Sequence, residues 1–111
     1  MPSILVTGAS GFIGAALCRK LIELGFAVKT FGRQEHAPAQ LDGLEFEHCR
    51  GDVLDPESIQ NALNGCGAVF HLAGLVSYKR RDYDLLHKIN VVGTRNVMKA
   101  CLDAGIERVI H

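Results

Sequence analysis

Apolar residues along this chain gather in five short runs, at positions 4–6, 26–31, 44–49, 68–72 and 107–111. Between them, apolar residues recur every three or four positions, the spacing of a helix with one buried face. Ile13, Ala16, Leu17, Leu21 and Leu24 form such a face, and Gly25 ends it. Asp55 and Pro56 mark a second helix start, as N-cap and first helical residue, with Ile59, Ala62 and Leu63 facing inward and Gly65 as the stop. A third and longer helix is predicted over 82–103, with Leu86, Ile89, Gly93, Val97 and Cys101 on one side and Gly105 past its end. The run at 44–49 alternates apolar and polar residues, which suits a less covered strand at a sheet edge. Residues 34–43, with Pro38 and Gly43, read as a polar connection holding at most one turn of helix.

Strands that alternate with helices imply a parallel sheet with right-handed crossovers and helices on both faces. The expected fold is α/β, a Rossmann-type doubly wound parallel sheet of strand order 3-2-1-4-5. A ligand would sit where the order reverses, between strands 1 and 4, outside their carboxyl ends.

Composition narrows the class. A chain of 111 residues with 48% apolar content and zero formal net charge fits a single domain, 1–111, with a real core. That balance gives no electrostatic case for nucleic acid or an anionic membrane, and no apolar run reaches the ~18 residues of a membrane span. The start of the chain shows no export signal. Cys18, Cys49, Cys66 and Cys101 are far apart and lack a C-x-x-C pair, so they read as buried thiols in a reducing compartment, the cytoplasm by default. His71 reads as packed or hydrogen-bonded near the sheet; no second ligand stands at workable spacing, so no metal site is expected.

The chemistry begins directly after strand 1. Gly8, Gly11 and Gly14 follow the strand and open the first helix, the context that gives a glycine pattern meaning. Gly8 permits a tight turn, Gly11 has no Cβ to block a pyrophosphate, and Gly14 lets the helix sit close to the strand. Ser10 completes the turn. Phe12 and Ile13 begin the helix, whose unpaired N–H groups and positive end would face the phosphates. At the end of strand 2, where an NAD site usually carries an acid, stand Gly32 and Arg33, with Glu35 beyond. Arginine offers a fork of donors to a 2′-phosphate that an acid would repel, which favours NADP, with NAD possible.

The string Thr7-Gly8-Ala9-Ser10-Gly11-Phe12-Ile13-Gly14 resembles the short-chain dehydrogenase/reductase superfamily, and most of all its extended branch of epimerases, dehydratases and reductases. The resemblance implies further roles. Asp52 would accept from the adenine amino group and Val53 would pack on the ring. Leu72, Ala73 and Gly74, after His71, match a strand ending whose small residues pass beside the cofactor ribose and nicotinamide. Asn90, within Asn90-Val91-Val92-Gly93-Thr94-Arg95-Asn96-Val97, would support the active site from below, with Gly93 as a close-packing position and Asn96 a surface or helix–helix contact. In the reductases of this branch, an arginine at the position of Arg33 goes with NADP.

The family's catalytic Tyr-x-x-x-Lys is not in this sequence: Tyr78 and Tyr83 are followed four residues on by Asp82 and His87. No catalytic residue is therefore assigned, and the chain reads as the amino-terminal part of a longer protein, cut in strand 5. The basic run at 79–81 reads as a solvated loop, with a substrate diphosphate as the other reading. Function is expected to be the dinucleotide-binding portion of an NAD(P)-dependent oxidoreductase or epimerase. Its small-molecule substrate would be a sugar nucleotide or a carbonyl or hydroxyl compound, with Arg33 leaning toward reductases. The alternative is a non-catalytic module that senses NADP(H). Self-association is expected through the edge left at strand 5.

Overall fold

The structure, a computed structural model, describes residues 2–72 and 80–111. Its strands are β1 (Ser3–Thr7), β2 (Val28–Gly32), β3 (Glu47–Arg50), β4 (Cys66–His71) and β5 (Arg108–Ile110). All pairings are parallel, in the order β3-β2-β1-β4-β5. The expected topology is therefore the observed one, and β3 lies at an edge as its alternating pattern requires. Helices α1 (Phe12–Glu23), α2 (Pro56–Ala62), α3 (Tyr83–His87) and α4 (Thr94–Ala104) supply the crossovers. No helix among the described residues is long and apolar enough to cross a membrane.

Two cores form, one on each sheet face. Leu5, Phe31, Val69 and Val53 pack under α2 and α4, against Ile59, Leu63, Val97 and Cys101. Val6, Val28 and Leu41 pack with Ala15, Cys18 and Leu21 of α1 on the other side. Successive residues of β1, Leu5 and Val6, thus serve opposite faces, as a strand's alternation dictates. The four cysteines are free, and burial pushes the Cys18 thiol up to about 11, so it remains protonated at neutral pH.

Local chemistry sets the element ends. Asp55 caps α2 by accepting from the Glu57 N–H at 3.2 Å, with Pro56 opening the helix. Gly105 closes α4 in the left-handed conformation, at φ 73°. Residues Ala39–Leu41 form the one helical turn allowed for in the connection after β2.

Two expectations about helices need correction. The buried face of α1 is Gly14, Ala15, Cys18 and Leu21, whereas Ile13, Ala16 and Leu24 are exposed. Small residues turn inward here because α1 lies too close to the glycine turn for bulky ones. The predicted helix over 82–103 is also not uniform. A 3₁₀ turn (Arg80–Asp82) leads into α3, and a π-helical segment (Lys88–Gly93) separates α3 from α4. Such a segment inserts an extra residue per turn and is frequent at functional sites.

Candidate functional site

The carboxyl ends of β1, β2, β3 and β4 lead into segments that border one open cleft of about 300 Å³, located where the strand order reverses. Seven of the residues singled out in the sequence line it: Gly8, Ser10, Gly11, Arg33, Asp52, Val53 and Leu72. Phe31, Gly32, Gly51 and Ile89 complete the wall; the sequence placed them on the right elements but gave them no site role. Phe12 and Ile13 are not in the wall, and their side chains are 93% and 72% exposed at the start of α1. Asn90 sits in the π-helical segment, next to the wall residue Ile89. Ala73 and Gly74 lie outside the described residues, as do Ser77, Tyr78 and Lys79.

The glycine turn is built as its spacing requires. Gly8 has φ 78°, a conformation other residues rarely adopt. A Cβ on Gly14 would overlap the Gly8 carbonyl and touch Ala9 Cα at 3.0 Å, so only glycine lets α1 start this close. Gly11 differs: a Cβ there would meet nothing nearer than the Gly8 oxygen at 3.5 Å, an ordinary contact. The protein's own packing therefore does not require glycine at 11, and the open side of that residue is the cleft. Gly11 is also the N-cap of α1 and offers no side chain to its first N–H groups. Those donors stand uncapped at the cleft's edge.

A buried polar relay fixes this turn relative to β4 and α4. His71 is 1% exposed; its Nδ1 lies 2.7 Å from Thr7 Oγ1 and its Nε2 2.9 Å from Thr94 Oγ1. Thr7 Oγ1 also accepts from the Leu72 N–H at 3.1 Å. Burial, and then the nearby charge of His111, lower the His71 pKa to about 4, so the ring is neutral at physiological pH. The His111 ring stacks on it, with centroids 5.3 Å apart. The reading of His71 as a packed, hydrogen-bonded residue holds.

The segment after β3 is held from both sides. Asp52 Oδ1 accepts from the Leu54 N–H at 2.9 Å, and the Asp52 N–H donates to Ser58 Oγ at 3.1 Å. One carboxylate oxygen is thus spent on a turn, while Oδ2 has no partner among the described residues. Val53 is pressed by Gly93, where a Cβ would come within 2.6 Å of Val53 Cγ2. Asn96 Nδ2 donates to the Val53 carbonyl at 3.0 Å. Asn96 is therefore neither a surface nor a helix–helix contact; it anchors the loop that shapes the cleft.

Beside the main cleft opens a side chamber of about 160 Å³, which shares Ser10, Phe31, Gly32 and Arg33 with it. His36 and His48 add to its lining, and among the described residues no carboxylate does.

Comparison with known proteins agrees with this geometry. The family model described as "NAD dependent epimerase/dehydratase family" matches residues 4–111. Sterol demethylase protein B of Methylococcus capsulatus is 44% identical over 96% of this chain and 33% of its own length. The 2-alkyl-3-oxoalkanoate reductase of Stenotrophomonas maltophilia is 43% identical over 97% of this chain and 32% of its own. A short-chain dehydrogenase/reductase superfamily protein from Agrobacterium tumefaciens, solved with bound NAD, superposes with a TM-score of 0.83 at 33% identity. That alignment covers 96% of this chain and 31% of that one. The chain thus spans about a third of the length of the proteins it matches. Strand order, glycine turn and family match agree: the chain belongs to the NAD dependent epimerase/dehydratase family.

Proposed function

We propose that the cleft binds an NAD-type dinucleotide, with NADP preferred, as the cofactor-binding part of an oxidoreductase or epimerase. The observation that carries this reading is the convergence of an uncapped helix start, a glycine free of internal packing demands and Arg33 on one cleft. The pyrophosphate would lie over Gly11, taking hydrogen bonds from the first N–H groups of α1, including those of Phe12 and Ile13. Adenine would lie between Asp52 and Val53, with Asp52 Oδ2 accepting from the amino group. Leu72, and the segment of Ala73 and Gly74 after it, would flank the nicotinamide ribose, and Asn90 would lie beneath the reacting ring.

The cofactor, when bound, supplies or takes up a hydride. The residues of this chain bind and orient it. The relative named as a 2-alkyl-3-oxoalkanoate reductase supports a carbonyl substrate.

The preference for NADP rests on Arg33, which faces a chamber lined by no acid among the described residues. Fluorescence titrations of the intact protein should show tighter binding of NADPH than of NADH. Arg33→Ala should remove most of the gap, on the order of 1–3 kcal/mol for a charge-assisted contact. Equal affinities in the wild type would refute the preference, and binding of neither would refute the site.

A further inference from the structure

The loop that carries Arg33 is pinned at two places. His48, on the edge strand β3, stands opposite Thr30 in the β2–β3 register. Its Nε2 lies 2.8 Å from the Gln34 carbonyl and its Nδ1 2.8 Å from Thr30 Oγ1. A carbonyl can only accept, so Nε2 carries a proton, and in the neutral ring Nδ1 accepts from the Thr30 hydroxyl. Thr30 is fully buried, so that hydroxyl is a fixed reference point inside the sheet. Gln34 directly follows Arg33, and a bond to its carbonyl fixes the backbone from which Arg33 projects. Farther along, Gln40 Nε2 donates to the Ser10 carbonyl at 2.9 Å, tying the same loop to the glycine turn.

These pins frame the side chamber of about 160 Å³. With a water occupying ~30 Å³ of liquid volume, the chamber has room for a phosphate group. Its lining offers the Arg33 guanidinium and the His36 ring, both able to donate hydrogen bonds to a phosphate. A flexible arginine on an exposed loop would lose much of its affinity to the entropy of ordering, and a loop held in advance loses less.

We propose that His48 is a positioning residue for cofactor selection: it holds the Arg33-Gln34 backbone so that Arg33 and His36 face a phosphate on the adenosine ribose. This rests on the NADP reading above. It differs from that reading in placing part of the selectivity on β3, a strand away from the arginine, in a side chain that acts by hydrogen bonding and never touches the phosphate.

The test uses 2′,5′-ADP and 5′-AMP, which differ only by the 2′-phosphate, titrated calorimetrically into the intact protein and its variants. His48→Asn places an amide near the position of Nδ1, able to reach Thr30 but not Gln34. Its affinity for 2′,5′-ADP should fall about fivefold, the worth of one hydrogen bond, with 5′-AMP binding unchanged. His48→Gln carries its amide out to the position of Nε2 and should restore the wild-type ratio. Thr30→Val removes the fixed donor at nearly constant volume and should lower the ratio to a smaller degree; it decides the matter if His48→Asn does not fold. An unchanged ratio in whichever of these two variants folds overturns the proposal, as does parallel weakening of both ligands, which would mark a merely structural role. A wild type that binds both ligands equally refutes the NADP reading itself, and the proposal with it.

Discussion

Acidification should destabilise this fold mainly through one side chain, His71. The ring is 1% exposed and hydrogen-bonded to two threonines, and burial lowers its pKa from 6.5 to about 4. As pH falls, the unfolded chain takes up this proton before the folded one does. The neutral form's contribution is therefore complete above pH 6.5, is lost between 6.5 and about 4, and changes no further below that. At about 1.36 kcal/mol per pH unit, the loss is about 2 kcal/mol at pH 5 and about 3 kcal/mol at pH 4. Against the ~5–15 kcal/mol stability of a typical domain, that is a large fraction. The His111 ring stacked on His71 adds to the penalty for protonating its neighbour. Urea unfolding at steps from pH 7.5 to 4.5 measures the effect, with His71→Gln as the reference because a glutamine can still bond Thr94 and never titrates. Groups remote from His71 cancel in this comparison. The wild type should be the more stable near neutrality, and the gap should close by about 2 kcal/mol at pH 5. Parallel pH curves for the two proteins would refute the buried neutral histidine.

Two glycines should separate stability from binding. Gly14→Ala drives a methyl into the Gly8 carbonyl, which backbone cannot easily yield to. Thermal unfolding should show a loss at or above the upper end of the ~1–3 kcal/mol typical of overpacking. Gly11→Val should leave the melting temperature nearly unchanged while dinucleotide binding is lost; retained binding would contradict its assigned role. For self-association, β5 is an edge strand whose Ile110 is 54% exposed, and exposed edges recruit other chains. Light scattering of the 111-residue chain at high micromolar concentration should show association, and a monodisperse monomer would refute this.

The sheet was legible because its signals are local. Apolar runs, glycine stops and the Asp55-Pro56 helix start each act within a few residues, and together they dictate a strand order. The glycine turn was legible for the same reason, since Gly8 and Gly14 answer to contacts within their own turn. What was not legible depends on residues far apart in sequence. Asn96 reads as a surface amide until the Val53 carbonyl, 43 positions earlier, is placed against it. The π-helical segment has no pattern of its own; it accompanies Gly93 being pressed onto Val53. The face of α1 was misread because spacing rewards large apolar residues, whereas close approach to the turn admits only Gly14, Ala15 and Cys18. His48 offered no signal at all, since its partners Thr30 and Gln34 meet it only across a strand pairing.

A crystal structure of the intact protein grown with NADPH tests the central claim most directly. The account predicts pyrophosphate density over Gly11 at the start of α1, adenine beside Asp52 and Val53, and the 2′-phosphate in the side chamber against Arg33. A dinucleotide bound elsewhere on the molecule, or in this cleft with its 2′-phosphate turned away from Arg33 into solvent, would contradict it.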